Sequence, residues 1–290
     1  MRSTALRLFL TVGLVYTLHF ATNVVRETYL AITLGESASV RVDEYLGLHP
    51  DLFEIKGRGA YINNNPGASM LGALPYAVAR PFIDGLLKLR PDLARPKPPA
   101  TYDDPRPNRT RFFNEARARG LDVKLGMAAV ATHLGLMVPL AGLAAVVMFQ
   151  LLRARLDDER TALWLALLYA FGTPIFFRSG FLNQNAILAH AVLFAFVALV
   201  GNDRPSRDSR KVVRGSPALA GLFLGIGLVC DYSAAPLLVV FGAWVLVQEW
   251  RVEGAGDGIR AALRFSGGAA GPVAVLLGYQ WVAFGNALLP

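Results

Sequence analysis

The sequence predicts an all-α integral membrane protein with about seven transmembrane helices and a long first external loop that carries juxtamembrane helices. Of the 290 residues, 54% are apolar and only 17% are charged, whereas roughly a quarter of the residues in soluble domains are charged. The charges are clustered between long apolar runs, which is typical of membrane-spanning chains. The short loops also alternate between basic and nearly uncharged. We therefore expect residues 1–290 to form one transmembrane domain.

Seven apolar segments are candidates for crossing a bilayer. Several approach the roughly 20 residues that a membrane-spanning helix requires, and the shorter ones need polar flanks. The first of them resembles a signal peptide, but no small-residue cleavage site follows it, so we expect an uncleaved first helix. The segments are 5–22, 126–152, 161–178, 185–201, 216–230, 232–249 and 265–284.

The charges of the short loops predict the topology. Positive charge collects in the loops 153–160, 202–215 and 251–264, whereas 176–185, 230–236 and the C-terminal "FGNALLP" hold one arginine and no lysine. Because basic loops lie on the cytoplasmic side, the N-terminus is expected inside. Residues 22–124 are then wholly external. A span at 68–87 would reverse every later loop and break the charge rule.

Within this external segment, the stretch "GASMLGALPYAVARPF" reads as a short helix in the membrane interface, interrupted at Pro75. The alternative is a buried helix of a small external domain. The prolines and charges of residues 88–111 predict an irregular segment. The sequence "FFNEARARGLDVKLG" after it reads as a short amphipathic helix that leads into the second span.

Several function classes find no support in the sequence. The single cysteine, Cys230, excludes an internal disulfide and a cysteine-based metal motif. We find no nucleotide-binding glycine loop, zinc motif or Ser-His-Asp elbow, and we expect neither a metal nor another cofactor. The net charge of +8 lies largely in loops assigned to the cytoplasmic side, so nucleic acid is not an expected partner. We expect packing or hydrogen-bonding roles for the histidines, which are His19, His49, His133 and His190.

The first candidate site residues are Arg26 and Glu27, at the start of a helix just after the first span. A carboxylate beside apolar lipid and near a cation can act as a general base, with a pKa set by those neighbours. The alternative is an Arg–Glu pair that stabilises the end of an interfacial helix.

A second candidate cluster lies in the stretch "SVRVDEYLGLHPDLFEIKGRGAYINNNPG". Asp43 and Glu44 are adjacent and point in different directions in a strand or a helix, so they do not form a natural acid–base pair. Lys56 and Arg58 are suited to phosphate. Tyr61 and the asparagines, among them Asn63 and Asn64, offer groups suited to sugar hydroxyls. The alternative is a solvated cluster of turns.

The remaining candidates lie in the two short outer loops. Polar side chains this close to the bilayer are costly unless they face a cavity or a partner. Asp231 has the alternative of being simply solvated at a helix end. These candidates are Arg178, Asn183, Gln184, Asn185 and Asp231.

Several stretches together carry a family resemblance. These stretches follow one another along nearly the whole chain. They are the acidic helix start, "VDEY", "NNNPG", "ALLYAFGTPIFFRSGFLNQN", "LAGLFLGIGLVCDYSAAPLLVV" and "LLGYQWVAFGNALL". In this pattern the chain resembles the polytopic GT-C glycosyltransferases, especially bacterial proteins similar to dolichyl-phosphate-mannose protein mannosyltransferases. The resemblance implies transfer of a sugar from a polyprenyl-phosphate donor to an envelope glycan, lipid or protein acceptor. It places the reaction on the external, periplasmic side of the plasma (inner) membrane. It also implies that the chain is the N-terminal portion of a longer protein.

The resemblance assigns roles to individual residues. Glu27 occupies the place of the acidic residue that activates the acceptor, and Asp43 is the alternative base. The family pattern Asn-Lys-x-Pro-Gly matches Asn63, Asn65 as the variable position, Pro66 and Gly67. Asn64 replaces the lysine that contacts the donor phosphate. Arg178 is the residue that compensates for it in this interpretation.

Two other function classes stay open at this point. A transporter or flippase requires polar residues or broken helices at mid-depth, and Thr132, His133 and His190 supply few of them. A non-catalytic membrane subunit with the same fold is compatible with the replacement at Asn64.

Overall fold

The structure, a computed structural model, describes residues 2–21, 24–201 and 215–288 and is mostly helical. The predicted inner loop 202–215 lies outside these residues except for Gly215. The first six helices are α1 (Arg2–Leu18), α2 (Arg26–Ser37), α3 (Gly67–Leu89), α4 (Pro107–Ala118), α5 (Asp122–Thr132) and α6 (Val138–Arg153). The others are α7 (Glu159–Phe171), α8 (Pro174–Arg178), α9 (Gln184–Val200), α10 (Pro217–Cys230), α11 (Ala234–Glu253) and α12 (Ala255–Phe284).

Three helices of the described chain are long and apolar enough to cross a membrane. They are the continuous helix Asp122–Arg153, in which one π-helical turn joins α5 to α6, and the helices α11 and α12. Only 11% of the apolar window of α11 is buried within the chain, so most of this helix faces outward. Three shorter apolar helices, Ser3–Leu18, Gln184–Val200 and Pro217–Cys230, coincide with further predicted spans.

The remaining predicted span, 161–178, is divided between α7 and α8. Helix α7 ends at Phe171, and the hydroxyl of Thr173 accepts a hydrogen bond from the backbone of Ile175 at the start of α8. Seven crossings therefore remain a prediction, whereas the presence of membrane-type helices at the predicted positions is observed.

Small residues allow these helices to pack closely. In α10, Gly221 lies against the backbone of α12, where an added Cβ would come within 1.9 Å of the Phe265 carbonyl oxygen. Gly225 approaches Ala269 one turn further along. Close backbone approach through glycine and alanine is a common basis of helix association in membranes. The close packing of α10 on α12 therefore fixes the position of the residues that follow α10.

Hydrogen bonds join the ends of several helices to neighbouring segments. On the predicted outer side, the backbone N–H of Ala21 donates to the Gly180 carbonyl at 2.9 Å, and the side chain of Asn65 donates to the Leu228 carbonyl at 2.8 Å. On the predicted inner side, the Thr4 hydroxyl donates to Glu159 at 3.2 Å. The assignment of these ends to the two sides of a membrane stays a prediction.

The segment between α1 and α5 folds around a cluster of buried aromatic residues. Three tyrosines are fully buried: Tyr29 of α2, Tyr76 of α3, and Tyr45, which lies between these helices in the chain. Tyr279 of α12 belongs to the same cluster. Burial of large aromatic rings contributes strongly to core stability. The predicted external segment is therefore a packed unit that rests on the ends of α5 and α12.

This unit contains a β-hairpin, which the all-α prediction did not include. Strands β1 (Leu52–Ile55) and β2 (Gly59–Ile62) pair in antiparallel register, with Leu52 opposite Ile62 and Ile55 opposite Gly59. Gly57 and Gly59 adopt φ values of +77° and +109°, which glycine reaches without steric cost. The described part of the chain is therefore mostly helical with one two-stranded sheet.

Helix α3 begins where predicted but is not interrupted at Pro75. Pro66 is its N-cap residue, and the helix runs for 23 residues with Pro75 and Pro81 inside it. Tertiary packing outweighs the lost backbone hydrogen bonds, because Pro75 fits closely against Gly135 in the π-helical turn of the long helix. Val78, three residues further along α3, is 83% exposed, so α3 has one buried side and one apolar side that faces outward.

The segment that the sequence predicted to be irregular is shorter than expected. Helix α3 continues to Leu89, a 3₁₀ turn covers Pro91–Ala94, and α4 begins at Pro107. Only the residues between this turn and α4 lack regular structure. A short helix before the second span is present as α4, but it ends at Ala118, and the last residues of the predicted helix belong to α5.

Candidate active site

The candidate site is built around the first turn of α2. The N-cap residue Val25 is extended, and Arg26 and Glu27 are the first two helical residues. The following residues of α2 pack into the aromatic core, which fixes the helix and places Glu27 in its buried part. Glu27 is only 5% exposed. A carboxylate that is this well buried requires specific partners.

Two side chains contact the Glu27 carboxylate. The amide nitrogen Nδ2 of Asn64 donates a hydrogen bond of 2.9 Å to Oε1, and Nε of Arg26 lies 3.3 Å from the same oxygen. Burial raises the pKa of Glu27 above its ordinary value, and the positive charge of Arg26 opposes this shift. The structure therefore contains the Arg–Glu pair of the capping interpretation and the buried carboxylate of the general-base interpretation in the same place.

Arg26 is itself held by acidic neighbours. Its Nη1 donates a hydrogen bond to Asp51 Oδ2, and Nδ1 of His49 lies 3.7 Å from the same Asp51 oxygen. Burial lowers the pKa of His49, so the imidazole is neutral near pH 7. Arg26 thus bridges Glu27 and Asp51, and its charge is largely balanced by these two carboxylates.

A cavity of about 520 Å³ lies next to this cluster. Asn64 forms part of its wall and also holds Glu27, so the carboxylate lies directly behind the wall. Amide and hydroxyl groups together with aromatic rings suit a sugar, which presents hydroxyls at its edge and apolar C–H groups on its faces. The lining residues are Phe53, Ile55, Ile62, Asn63, Asn64, Asn65, Pro66, Tyr232, Leu276, Tyr279, Gln280 and Phe284.

Close contacts fix the start of α3 against α10. Asn65 is tied to the Leu228 carbonyl, and Gly67 packs so tightly that an added Cβ would lie 2.6 Å from the Cys230 nitrogen. Beside this contact, Nε2 of Gln184 donates to Asp231 Oδ2 at 2.8 Å. The structure therefore brings Gln184 and Asp231 together at the end of α10, where the sequence predicted that polar residues face a cavity or a partner.

The other predicted site residues have different surroundings. Asn183 caps α9, because its Oδ1 accepts from the Ala186 backbone at 3.0 Å. Asn63 is exposed at the cavity wall, and Asn185 is exposed at the start of α9. Arg178 is exposed at the end of α8 and forms no ion pair within the described ranges.

The residues of the second predicted cluster lie apart from Glu27. Asp43 is exposed, accepts a hydrogen bond of 2.6 Å from the Ala60 backbone and pairs with Arg41 at 2.7 Å. Glu44 lies 3.8 Å from Lys124. Tyr61 is buried in the aromatic core, and its hydroxyl donates to the Arg58 carbonyl at 3.1 Å.

Asp51 and Gln280 were not among the sequence predictions. Asp51 holds Arg26, and Gln280 lines the cavity and hydrogen-bonds to Tyr232, which the sequence placed beside Asp231 in the short outer loop. Recognition of the hairpin would have pointed to Asp51, because Asp51 and Asn63 flank the two strands and the Asn63 N–H donates to the Asp51 carbonyl at 2.8 Å.

Comparisons with protein-family models, with curated proteins and with solved structures found no match to this chain.

Proposed function

We propose that this chain is the membrane domain of a glycosyltransferase that moves a sugar from a polyprenyl-phosphate donor to a hydroxyl acceptor. The observation that carries the proposal is the contact between Glu27 and Asn64 at the wall of the 520 Å³ cavity. It supplies a poorly hydrated carboxylate directly beside a space lined with amides and aromatic rings. The family resemblance of the sequence adds the donor class.

Glu27 acts as the general base in the proposed reaction. It accepts the proton of the acceptor hydroxyl while the acceptor oxygen forms a bond to the anomeric carbon of the sugar. The bond between that carbon and the phosphate oxygen breaks, and the electron pair leaves with the polyprenyl phosphate. A single displacement of this kind inverts the configuration at the anomeric carbon. Asn64 lies at the cavity wall and keeps Glu27 oriented toward the acceptor.

The departing phosphate requires a cation, and Arg26 is already balanced by Glu27 and Asp51. Two arginines are candidates. The guanidinium of Arg58, at the hairpin turn, lies against Gly285, which follows the cavity-lining Phe284. Arg178 is the candidate from the sequence. We assign the phosphate contact to Arg58 because of its place beside the cavity, and we expect Arg58→Ala to weaken donor binding more than Arg178→Ala does.

In this proposal the site faces the external side of the plasma membrane. The charge pattern of the sequence supports it, because the short loops 153–160 and 251–264 are basic and positive charge marks the cytoplasmic side. The apolar outer faces of α11 and α3 then contact lipid. The acceptor is an envelope glycan, lipid or protein.

The test is turnover of a polyprenyl-phosphate hexose by Glu27→Gln, which keeps the shape of the side chain and removes the base. General-base help is worth about 10²–10⁴ in rate, so we expect a loss of that size with donor binding unchanged. Asp43→Asn is the matched control and should keep its turnover. If Glu27→Gln is active and Asp43→Asn is not, the base is Asp43. If both variants retain full activity, the chain does not carry out this reaction.

A further inference from the structure

A second cavity, of about 480 Å³, lies on the other side of the Arg26–Asp51–His49 group. It is bounded by the residues just before α2, by the turn around His49 and by the first turn of α4. Of the described residues that line it, two are arginines and none is acidic. The lining residues are Val24, Val25, Leu48, His49, Pro50, Arg106, Pro107, Asn108, Arg109 and Phe112.

The charges around this cavity favour an anion. Arg106 and Arg109 both contact Asp104, at 2.8 Å and 3.4 Å, so that two cations share this carboxylate. The guanidinium of Arg109 also lies 5.6 Å from the centre of the Phe113 ring, so the Arg109 side chain extends along α4. A guanidinium matches a phosphate group in geometry and charge.

An apolar crevice of about 100 Å³ continues from this cavity. Val24 and Phe112 line both spaces. On its far side, the crevice runs along Leu125, Gly126 and Ala129 of α5, the first turns of the helix Asp122–Arg153 that is long enough to cross a membrane. Asp122 also lines the crevice, but it is paired with Lys97 at 2.8 Å.

The basic cavity followed by the apolar crevice therefore matches a ligand with a charged head and an apolar tail at the membrane surface. The basic cavity lies beyond the start of a candidate membrane helix, and the apolar crevice lies along that helix. Basic groups beside the bilayer attract anionic lipids. We propose that this chain binds an anionic phospholipid, with the headgroup phosphate between Arg106 and Arg109 and the beginning of one acyl chain in the crevice.

This site goes beyond the proposed transferase activity and does not depend on it. The lipid is a bound ligand, and no covalent step takes place. It lies close to Val25, directly before Arg26 and Glu27, so that an occupied site would support the start of α2. Lipid retention is measured without a sugar donor or acceptor, so loss of lipid binding is scored independently of sugar transfer.

The experiment is native mass spectrometry of the 290-residue chain in detergent, with dioleoyl phosphatidylglycerol and dioleoyl phosphatidylcholine in equal amounts. We expect the chain to retain phosphatidylglycerol preferentially. Arg109→Gln removes a charge-assisted hydrogen bond to the phosphate, which corresponds to about a tenfold loss of retention or more. Asp104→Asn removes the competing carboxylate and should raise retention. If both variants lower retention equally, the cluster is only structural and the proposal fails.

Variants at two glycines test the crevice. A Cβ at Gly126 meets no atom within 4 Å, so Gly126→Leu fills the crevice without a clash at the backbone. Gly85 of α3 is equally open and serves as the matched control. We expect Gly126→Leu to lower retention and Gly85→Leu to leave it unchanged. Equal retention in both, or displacement of the lipid by equimolar glycerol 3-phosphate, would show that the acyl chain takes no part and would overturn the lipid assignment.

Discussion

The side-chain amide of Asn64 donates a hydrogen bond of 2.9 Å to the carboxylate of Glu27 and so joins the end of the hairpin to the first turn of α2. The donor is neutral. A lysine at this position would instead place a positive charge beside Glu27. Because Asn64 adds no charge, the desolvation of Glu27 is opposed mainly by Arg26, and the pKa of Glu27 stays raised. A charge introduced at position 64 should therefore change the protonation of the proposed base, which burial and Arg26 otherwise dominate.

Asn64→Lys should lower the pKa of Glu27, because an opposite charge at this distance stabilises the ionised carboxylate. The proposed base is active when ionised, so the acidic limb of kcat/KM against pH should move to lower pH. Asn64→Ala removes the hydrogen bond and should move this limb to higher pH. The measurement is the pH dependence of kcat/KM for the three proteins, which reports the free enzyme. Superimposable profiles would remove Asn64 from the site.

Glu27→Gln should stabilise the protein at pH values at which Glu27 is ionised. The folded-state pKa of Glu27 is raised above its unfolded value, so its contribution to stability is fully present below the unfolded pKa and is lost as the pH rises through the folded pKa. Glutamine removes this loss, which is about 1.4 kcal/mol for each unit of pKa shift. The free energy of unfolding should therefore exceed that of the parent at pH 8 and approach it near pH 4.

The control for this experiment is Glu54→Gln on strand β1, where the carboxylate is exposed. It should change the free energy of unfolding equally little at both pH values. A destabilised Glu27→Gln protein at pH 8 would mean that the ion pair with Arg26 outweighs the burial of Glu27, and it would contradict a raised pKa for this carboxyl group.

Gly67→Ala should destabilise the protein and loosen the cavity wall. Its Cβ would lie 2.6 Å from the backbone of Val229 and Cys230, so that α3 must move away from α10. Overpacking of this kind typically costs about 1–3 kcal/mol. Gly85→Ala in the same helix meets no atom and should be neutral or stabilising, by up to about 1 kcal/mol. Thermal unfolding of both variants in detergent checks the pair, and equal melting temperatures would contradict the close contact.

The membrane helices could be predicted from the sequence because their signal lies in continuous apolar runs. The long helix Asp122–Arg153 and the helices α11 and α12 coincide with predicted spans. The uninterrupted path of α3 could not be predicted. The cost of a proline inside a helix is local and visible in the sequence, whereas the contact between Pro75 and Gly135 joins residues that are far apart in the chain.

The candidate site was predictable in part. The position of Glu27 at a helix start followed from the local pattern, and so did the start of α3 after Pro66. The hairpin was missed because each strand has only four residues, too few for a clear alternation of buried and exposed positions. Without the hairpin, neither the link from Asp51 to Arg26 nor the approach of Asn64 to Glu27 could be inferred.

The last prediction concerns the sides of the membrane. The native cysteine, Cys230, is buried, so a cysteine introduced on the surface should carry most of the labelling by a membrane-impermeant thiol reagent. Pro98 is exposed in the predicted external segment, and Asp157 is exposed in the basic loop between α6 and α7. Because positive charge marks the cytoplasmic side in short loops, we expect Pro98→Cys to react in intact cells and Asp157→Cys to react only after the membrane is opened.

The reverse pattern would place Glu27 and its cavity on the cytoplasmic side and exclude an external donor. Reaction at both positions in intact cells would show that the chain does not cross the membrane between them.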